Sequence, residues 1–177
     1  ETLFGETAFV FSELVRTAFI PSPGCRFVVS DFSAIEARVV AWIAGESWVL
    51  NAFCAGKDIY CETASMMYHV PVVKHGVNGE LRQKGKVATL ACGYQGGVGA
   101  MKRMDKGGTI PEEELQGIVD AWRAANPKIQ KLWRTCELAA KTAIQEHRTV
   151  RIQHGIAFRY IHHNLFIRLP SGRELCY

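Results

Sequence analysis

Hydrophobic residues recur at the spacing of an amphipathic helix through most of the first 147 residues. In SAIEARVVAWIAG they are Ile35, Val39, Trp42 and Ile43, and Gly45 supplies a stop. Similar patterns predict further helices in WVLNAFCAG, in IYCETASMMYH after a capping Asp58, across 82–94, in PEEELQGIVDAWRAAN and from Pro127 to His147.

Short apolar runs near both ends of the chain predict β-strands instead. RFVVSD, residues 26–31, follows the turn-forming PSPG and predicts a buried strand. After Thr149 the chain continues in the short runs TVRIQ, AFRYIHH and NLFIRLP, which turn residues separate. This order predicts an α+β fold, a predominantly helical region flanked by short antiparallel strands.

Composition excludes several classes of protein. The chain has 177 residues, of which 48% are apolar, and a net charge of +4, so it has enough apolar residues for a core and a mildly basic balance. Its six cysteines form no C-x-x-C pair, and no run of about 18 apolar residues predicts a membrane span. Because it starts at Glu1 and stops within an apparent strand, we expect a piece of a longer protein.

The segment NGELRQKGKVATLACGYQGG combines glycines and cations in a way that is typical of phosphate binding. It is not a P-loop, because five residues separate Gly79 from Gly85 and Val87 follows Lys86 where a hydroxyl is needed. It also lacks the third glycine of a dinucleotide fingerprint. A helix would instead align four residues spaced by four on one face, two cations followed by an apolar and an aromatic side chain: Arg82, Lys86, Leu90 and Tyr94.

A second cluster of polar residues lies in SDFSAIEARV. Asp31 ends the predicted strand, where a carboxylate can bind a metal ion, and Glu36 lies in the first turn of the next helix. Ser33 and Glu36 also have the Ser-x-x-Glu spacing of a capping box, which would give them a purely structural role. The residues alone leave both interpretations open.

Together the two segments resemble motif A and motif B of the family A DNA polymerases, which include bacterial DNA polymerase I and phage replicative enzymes. The resemblance spans residues 12–177 and is closest to a phage or prophage member. Motif B is carried by the four residues spaced by four, and motif A by the following positions: Asp31, Ser33, Ile35, Glu36 and Arg38.

The resemblance implies a role for each catalytic residue. Asp31 would bind two Mg²⁺ ions together with the backbone carbonyl of Phe32, and Lys86 would act as a catalytic cation. Arg82 and Lys86 would hold the triphosphate of the incoming deoxynucleotide. The partners implied are primer–template DNA and deoxynucleoside triphosphates, with no membrane, in the cytoplasm of a bacterial or phage-infected cell.

The remaining implied contacts concern the nucleotide itself. Tyr94 corresponds to the tyrosine beside the templating base, and Glu36 to the steric gate that fills the space of a ribose 2′-hydroxyl. Ser33 belongs to the same substrate-binding set. Leu90 stands where an aromatic residue is usual, and Tyr60 where a phosphate-contacting histidine is frequent. Ala34 and Ala91 also depart from the usual residues.

The resemblance further implies the domain organisation. Residues 1–38 correspond to a palm segment with motif A, 39–147 to the fingers with the motif B helix, and 148–177 to a β-hairpin segment returning toward the palm. Motif C, with its His-Asp pair and second metal-binding carboxylate, and the thumb have no counterpart in these residues. We therefore expect no polymerase activity from this chain alone.

Three alternatives remain. A non-catalytic module could have kept the scaffold for nucleic-acid binding, and a single-subunit RNA polymerase is the nearest enzymatic rival, against which Glu36 argues. Arg82 and Lys86 could form a solvated helix face, while Leu90 and Tyr94 could belong to the core. We predict that His162 and His163 are surface residues.

Overall fold

A computed structural model of the protein describes residues 7–105 and 107–177, without the side chains of residues 8, 9, 12 and 13. Contacts between residues divide the chain into two units, residues 1–33 and 34–177. No helix in the described part of the chain is long and apolar enough to cross a membrane.

Eight α-helices and four β-strands make up the regular structure of these residues. The helices are α1 Thr7–Leu14, α2 Ile35–Ala44, α3 Ser47–Cys54, α4 Ile59–Tyr68, α5 Leu81–Cys92, α6 Val98–Met104, α7 Leu115–Ala125 and α8 Pro127–Glu146. The strands are β1 Val150–Arg151, β2 Ala157–Ile161, β3 Asn164–Arg168 and β4 Glu174–Cys176. Short 3-10 helices cover Val15–Ala18, Glu112–Glu114 and Gln153–Gly155. The predicted α+β class is confirmed.

The first unit contains α1, the 3-10 turn that follows it and a segment without regular structure. The strand predicted for residues 26–31 is wrong, because no described segment pairs with this backbone. A strand is defined by hydrogen bonds to a neighbour, and apolar content cannot supply one. Val28 and Val29 are accordingly 83% and 91% exposed.

The core of the second unit lies between α4, α5, α6, α7 and the start of α8. Its buried side chains include Met101, Val119, Trp122 and Ile129, and the indole of Trp133 stacks on Trp122 with ring centroids 5.9 Å apart. Burying such side chains stabilises a fold by roughly 1.5–3 kcal/mol each. The core therefore holds α5, the helix with the candidate phosphate-binding cations, in a defined position.

Helices α4 and α5 approach each other closely at Gly85. A Cβ atom at this position would lie 2.2 Å from the backbone oxygen of Tyr60 and 3.0 Å from the Cβ of Ala64. Only glycine fits without moving one of the helices. This contact explains why α5 has a glycine in its middle, where helix propensity disfavours it by about 1 kcal/mol.

The four strands form an antiparallel sheet in the order β1-β2-β3-β4. Val150 pairs with Phe158, and Phe158 pairs with Ile167, so these apolar side chains share one face of the sheet. That face packs against Ala139 and Ala143 of α8. The predicted short antiparallel strands after Thr149 are confirmed.

The helix predictions are largely confirmed, with three corrections. Helix α6 was not predicted, because glycines around it lower the helical signal. Helix α5 ends at Cys92, two residues before Tyr94, since Gln95 adopts a left-handed conformation (φ 63°) and the Gly96 amide bonds back to the Ala91 carbonyl.

The third correction concerns the capping box. The N-cap residue of α2 is Ala34, in the left-handed conformation (φ 50°), and its side chain makes no cap hydrogen bond. The position of the N-cap disagrees with the capping-box interpretation that the sequence left open for Ser33 and Glu36, because the helix starts one residue later than that motif requires. Glu36 lies at the second helical position.

Candidate nucleotide site

Asp58 connects the start of α4 to the first turn of α5. Its Oδ1 accepts hydrogen bonds from the amides of Tyr60, at 3.0 Å, and Cys61, at 3.3 Å, which confirms its predicted role as an N-cap. Its Oδ2 accepts from Nε of Arg82 at 2.9 Å, and Nη2 of Arg82 lies at the same distance. One carboxylate therefore caps a helix and holds a candidate substrate-binding cation.

The surroundings of Asp58 favour its charged form. Partial burial raises the pKa of this carboxyl, but the hydrogen bond and charge of Arg82 and the amides of Cys61 and Tyr60 lower it more, so the pKa lies below its ordinary value. The guanidinium also lies over the ring of Tyr60, with Cζ 5.2 Å from the ring centroid. Arg82 is thus oriented by an acid and an aromatic ring.

Lys86 follows Arg82 by one helical turn, so both cations lie along one side of α5. Both are half-buried, which disagrees with the alternative of a fully solvated helix face. Within residues 7–105 and 107–177, no carboxylate lies within ion-pair distance of Lys86. Its charge is therefore not compensated within the described chain.

Glu36 and Tyr94 come together although they are 58 positions apart in the chain. The carboxylate of Glu36 lies close enough to the phenol of Tyr94 to perturb it. Desolvation and the neighbouring carboxylate of Glu36 raise the pKa of Tyr94, which favours the protonated phenol. Tyr94 is 65% exposed, which excludes the alternative that it is a core residue.

A cavity of about 400 Å³ lies between α2, α3, α4, α5, α7 and α8. Four of the predicted substrate-binding residues line it, namely Glu36, Tyr60, Leu90 and Tyr94. Most of the other lining residues are apolar, including Val39, Ile43, Trp48 and Ile129. An apolar cavity with a few polar groups at defined positions has the character of a small-molecule site.

Asp31, Phe32 and Ser33 belong to the first unit. Asp31 and Phe32 are exposed in backbone without regular structure, and Phe32 is 78% exposed. Ser33 is exposed in a turn. No group of three or more His, Cys, Asp or Glu side chains among the described residues could hold a metal ion. One carboxylate and one carbonyl are an incomplete ligand set, so these residues alone do not fit two Mg²⁺ ions.

Sequence reasoning missed two features of this region. Asp58 was identified as a cap but not as the partner of Arg82, which could have been suspected because Asp58 and Tyr60 precede the cationic helix. Thr89 was not singled out. Its hydroxyl donates to the Gly85 carbonyl at 2.8 Å and lies 3.2 Å from the Thr63 hydroxyl, joining α5 to α4 beside the cavity.

Comparison with known proteins decides the family. The sequence profile of DNA polymerase family A matches residues 10–163, which is most of the chain. The chain belongs to DNA polymerase family A. Membership in this family was predicted from the two segments that resemble motif A and motif B, and the matched range contains both segments.

Curated family A relatives differ in how much of the chain they match. The DNA polymerase of Bacillus phage SP02 is 53% identical over the whole chain, which spans 28% of that protein. The thermostable DNA polymerase I of Thermus aquaticus is 34% identical over 66% of the chain, and DNA polymerase I of Rhizobium leguminosarum is 41% identical over 45%. The match to the phage enzyme confirms the predicted phage-type member of family A. The chain spans less than a third of each of these relatives.

Proposed function

We propose that this chain supplies the fingers and the motif A segment of a template-directed DNA polymerase that adds deoxynucleotides to a primer 3′ end. In this proposal residues 1–38 belong to the palm, 39–147 form the fingers, and 148–177 return toward the palm. The relatives named DNA polymerase support the activity. The enzyme would work on primer–template DNA in the cytoplasm of a bacterial or phage-infected cell.

The proximity of Glu36 and Tyr94 is the observation that carries the proposal. One residue of motif A and one of motif B line the wall of a single cavity, and the charge of Glu36 acts on Tyr94. A carboxylate at this position can exclude a sugar hydroxyl by occupying the space that the hydroxyl would need. We assign Glu36 as the group that selects deoxyribose and Tyr94 as the residue beside the template base.

The cations of α5 support a triphosphate site near this cavity. Arg82 is oriented by Asp58 and Tyr60, whereas Lys86 has no carboxylate partner in the described ranges. Charge-assisted hydrogen bonds to phosphate oxygens are among the stronger polar contacts in proteins. We assign Arg82 and Lys86 to the triphosphate, with Lys86 stabilising charge that develops on it during transfer. Leu90 and Tyr60 would contact the sugar and a phosphate.

Asp31 is the residue of this chain that we assign to metal binding, with Phe32 supplying a carbonyl and Ser33 a neighbouring contact. Bound Mg²⁺ would polarise phosphoryl oxygens and stabilise the leaving group. Because the chain contains no His-Asp pair, we assign the second carboxylate ligand to a region that these 177 residues do not contain.

Primer extension tests the proposal. The protein encoded by the complete reading frame around this chain should extend a primer with Mg²⁺, and Asp31→Asn should abolish extension. Asp120→Asn, which changes an exposed carboxylate on α7, is the control and should leave extension unchanged. A complete protein that binds DNA but does not extend primers would favour the alternative of a non-catalytic nucleic-acid-binding module.

The 177-residue chain itself provides a second test. If Asp31 needs a carboxylate from elsewhere, the purified chain should show no extension under conditions in which the complete protein is active. Extension by a rigorously purified sample of the chain would contradict this part of the proposal.

A further inference from the structure

The last thirty residues hold the charge surplus of the whole chain. Residues 148–177 contain five arginines and one glutamate, a surplus of four, whereas residues 1–147 contain sixteen residues of each sign. The net charge of +4 is therefore concentrated in the segment that forms the sheet. A local surplus of positive charge attracts anionic partners.

Strand register places three of these arginines on one face of the sheet. Arg151 on β1 pairs with Ala157 on β2, and Ala157 pairs with Arg168 on β3. Arg159 lies two positions after Ala157 and therefore points to the same side. The opposite side, with Phe158 and its partners, packs on α8. We call the face with Arg151, Arg159, Arg168 and Phe166 the basic sheet face.

The charges on this face are only partly compensated. Arg159 forms an ion pair with Glu174 at 2.6 Å and lies over the ring of Phe166, with Cζ 5.2 Å from its centroid. Arg151 and Arg168 are exposed, and neither has an ion-pair partner among the described residues. Two cations on alternate strands, about 10 Å apart across β2, are thus available to a ligand.

We propose that the basic sheet face binds single-stranded nucleic acid, with Arg151 and Arg168 on its phosphates. This proposal rests on the proposed polymerase function in one respect only, which is that the single strand bound in the cell would be the template. A sheet that combines cations with an aromatic ring is a common platform for single strands. Four strands span about 14 Å, which is wider than the major groove of duplex DNA at about 12 Å, so a duplex groove does not admit this face.

The test is binding of a fluorescent dT20 oligonucleotide to the complete protein, measured by anisotropy without nucleotide at several salt concentrations. Arg151→Gln combined with Arg168→Gln should weaken binding about tenfold at low salt and reduce the slope of log affinity against log salt by about 1.4. Glu174→Gln should act in the opposite direction and strengthen binding, because it removes the acid on this face and releases Arg159.

Two controls separate the local surface from net charge and from misfolding. Lys131→Gln combined with Lys141→Gln removes the same charge from exposed positions of α8 and should change binding little. Arg151→Lys combined with Arg168→Lys keeps both charges and should retain most of the salt dependence. Equal weakening by the α8 pair, or a Glu174→Gln variant that binds more weakly, would overturn the proposal.

A 20-base-pair duplex tests the choice of single-stranded partner. The paired glutamine variant should lose affinity for dT20 and keep its affinity for the duplex, and an equal loss for both would overturn the assignment. The outcome is independent of catalysis. If the complete protein fails to extend primers but dT20 binding responds as expected, the proposed function fails and the inference about this face stands.

Discussion

The guanidinium of Arg82 places two nitrogens, Nε and Nη2, each 2.9 Å from the same oxygen of Asp58. The other oxygen of that carboxylate caps α4, so a helix start and a candidate phosphate-binding cation depend on one side chain. Arg82 is therefore positioned before any substrate is present, and a triphosphate would have to share it with Asp58 or displace that acid.

Asp58→Asn should lower the free energy of unfolding by about 1 kcal/mol at pH 7, since an asparagine still caps α4 but the partly exposed ion pair is lost. The native pKa of Asp58 lies below its unfolded value of 3.8. Its contribution is thus complete above that value and disappears as the pH falls through the native pKa. Urea unfolding should therefore show a smaller difference in stability between the native protein and Asp58→Asn at pH 3 than at pH 7.

Asp58→Ala provides the comparison for this prediction. It removes the cap as well as the ion pair, so it should cost about 1 kcal/mol more than Asp58→Asn at pH 7. Equal stability of the native protein and Asp58→Asn at both pH values would show that the ion pair contributes nothing.

Gly85→Ala should destabilise the protein by roughly 2–3 kcal/mol, because the new methyl group would meet the Tyr60 carbonyl at 2.2 Å. Gly117→Ala is the matched control, since it changes an exposed helical glycine of α7 with nothing within 4 Å of the added Cβ. This control should stabilise by about 1 kcal/mol through helix propensity. Denaturant unfolding measures the change in the free energy of unfolding for each variant. Stabilisation by Gly85→Ala would contradict the close contact between α4 and α5.

Glu36→Ala in the complete protein should increase incorporation of ribonucleotides relative to deoxynucleotides if the carboxylate excludes the 2′-hydroxyl. An effect of roughly 1–3 kcal/mol, which is 10- to 200-fold in discrimination, is typical for one steric contact. Single-nucleotide extension with matched ribo- and deoxynucleoside triphosphates measures it. Unchanged discrimination, with extension otherwise intact, would refute the role of Glu36 as the gate and return the RNA polymerase alternative to consideration.

His162 and His163 form a two-residue turn between β2 and β3, and both have positive φ, 49° and 64°. They are exposed, which confirms that they are surface residues. Such a turn prefers Asn-Gly, because bulky residues cost about 1 kcal/mol or more in the left-handed region. His162→Asn combined with His163→Gly should therefore raise the free energy of unfolding by about 1–2 kcal/mol. Thermal and denaturant unfolding would measure this, and a loss of stability would mean that the imidazoles contribute contacts.

Sequence reasoning anticipated what local pattern and motif spacing determine. The apolar stripe of α2, the cap at Asp58 and the strands after Thr149 are all local properties, and they were predicted correctly. The strand at 26–31 failed because pairing depends on a distant segment. The extent of α5 was overestimated because four-residue spacing continues to Tyr94 although the helix ends at Cys92.

In the candidate site, too, local patterns could be predicted from the sequence and tertiary contacts could not. Motif resemblance identified Glu36 and Tyr94, but their proximity is a tertiary relationship that spacing does not reveal. The partner of Arg82 is 24 positions away, and nothing in the local pattern of α5 indicates it. The reason for Gly85 likewise lies in α4 and not in its own helix.

Because Gly85 has no side chain, α4 and α5 pack so closely that they must move together. Sliding or rotating one helix alone would push backbone into backbone at Tyr60 and would also break the bond between Asp58 and Arg82. Any movement that brings Lys86 toward a phosphate must therefore carry Tyr60 and Asp58 with it. The hinge residues of such a movement must therefore lie outside α4 and α5. Asp58 would move together with Arg82, to which it is hydrogen-bonded.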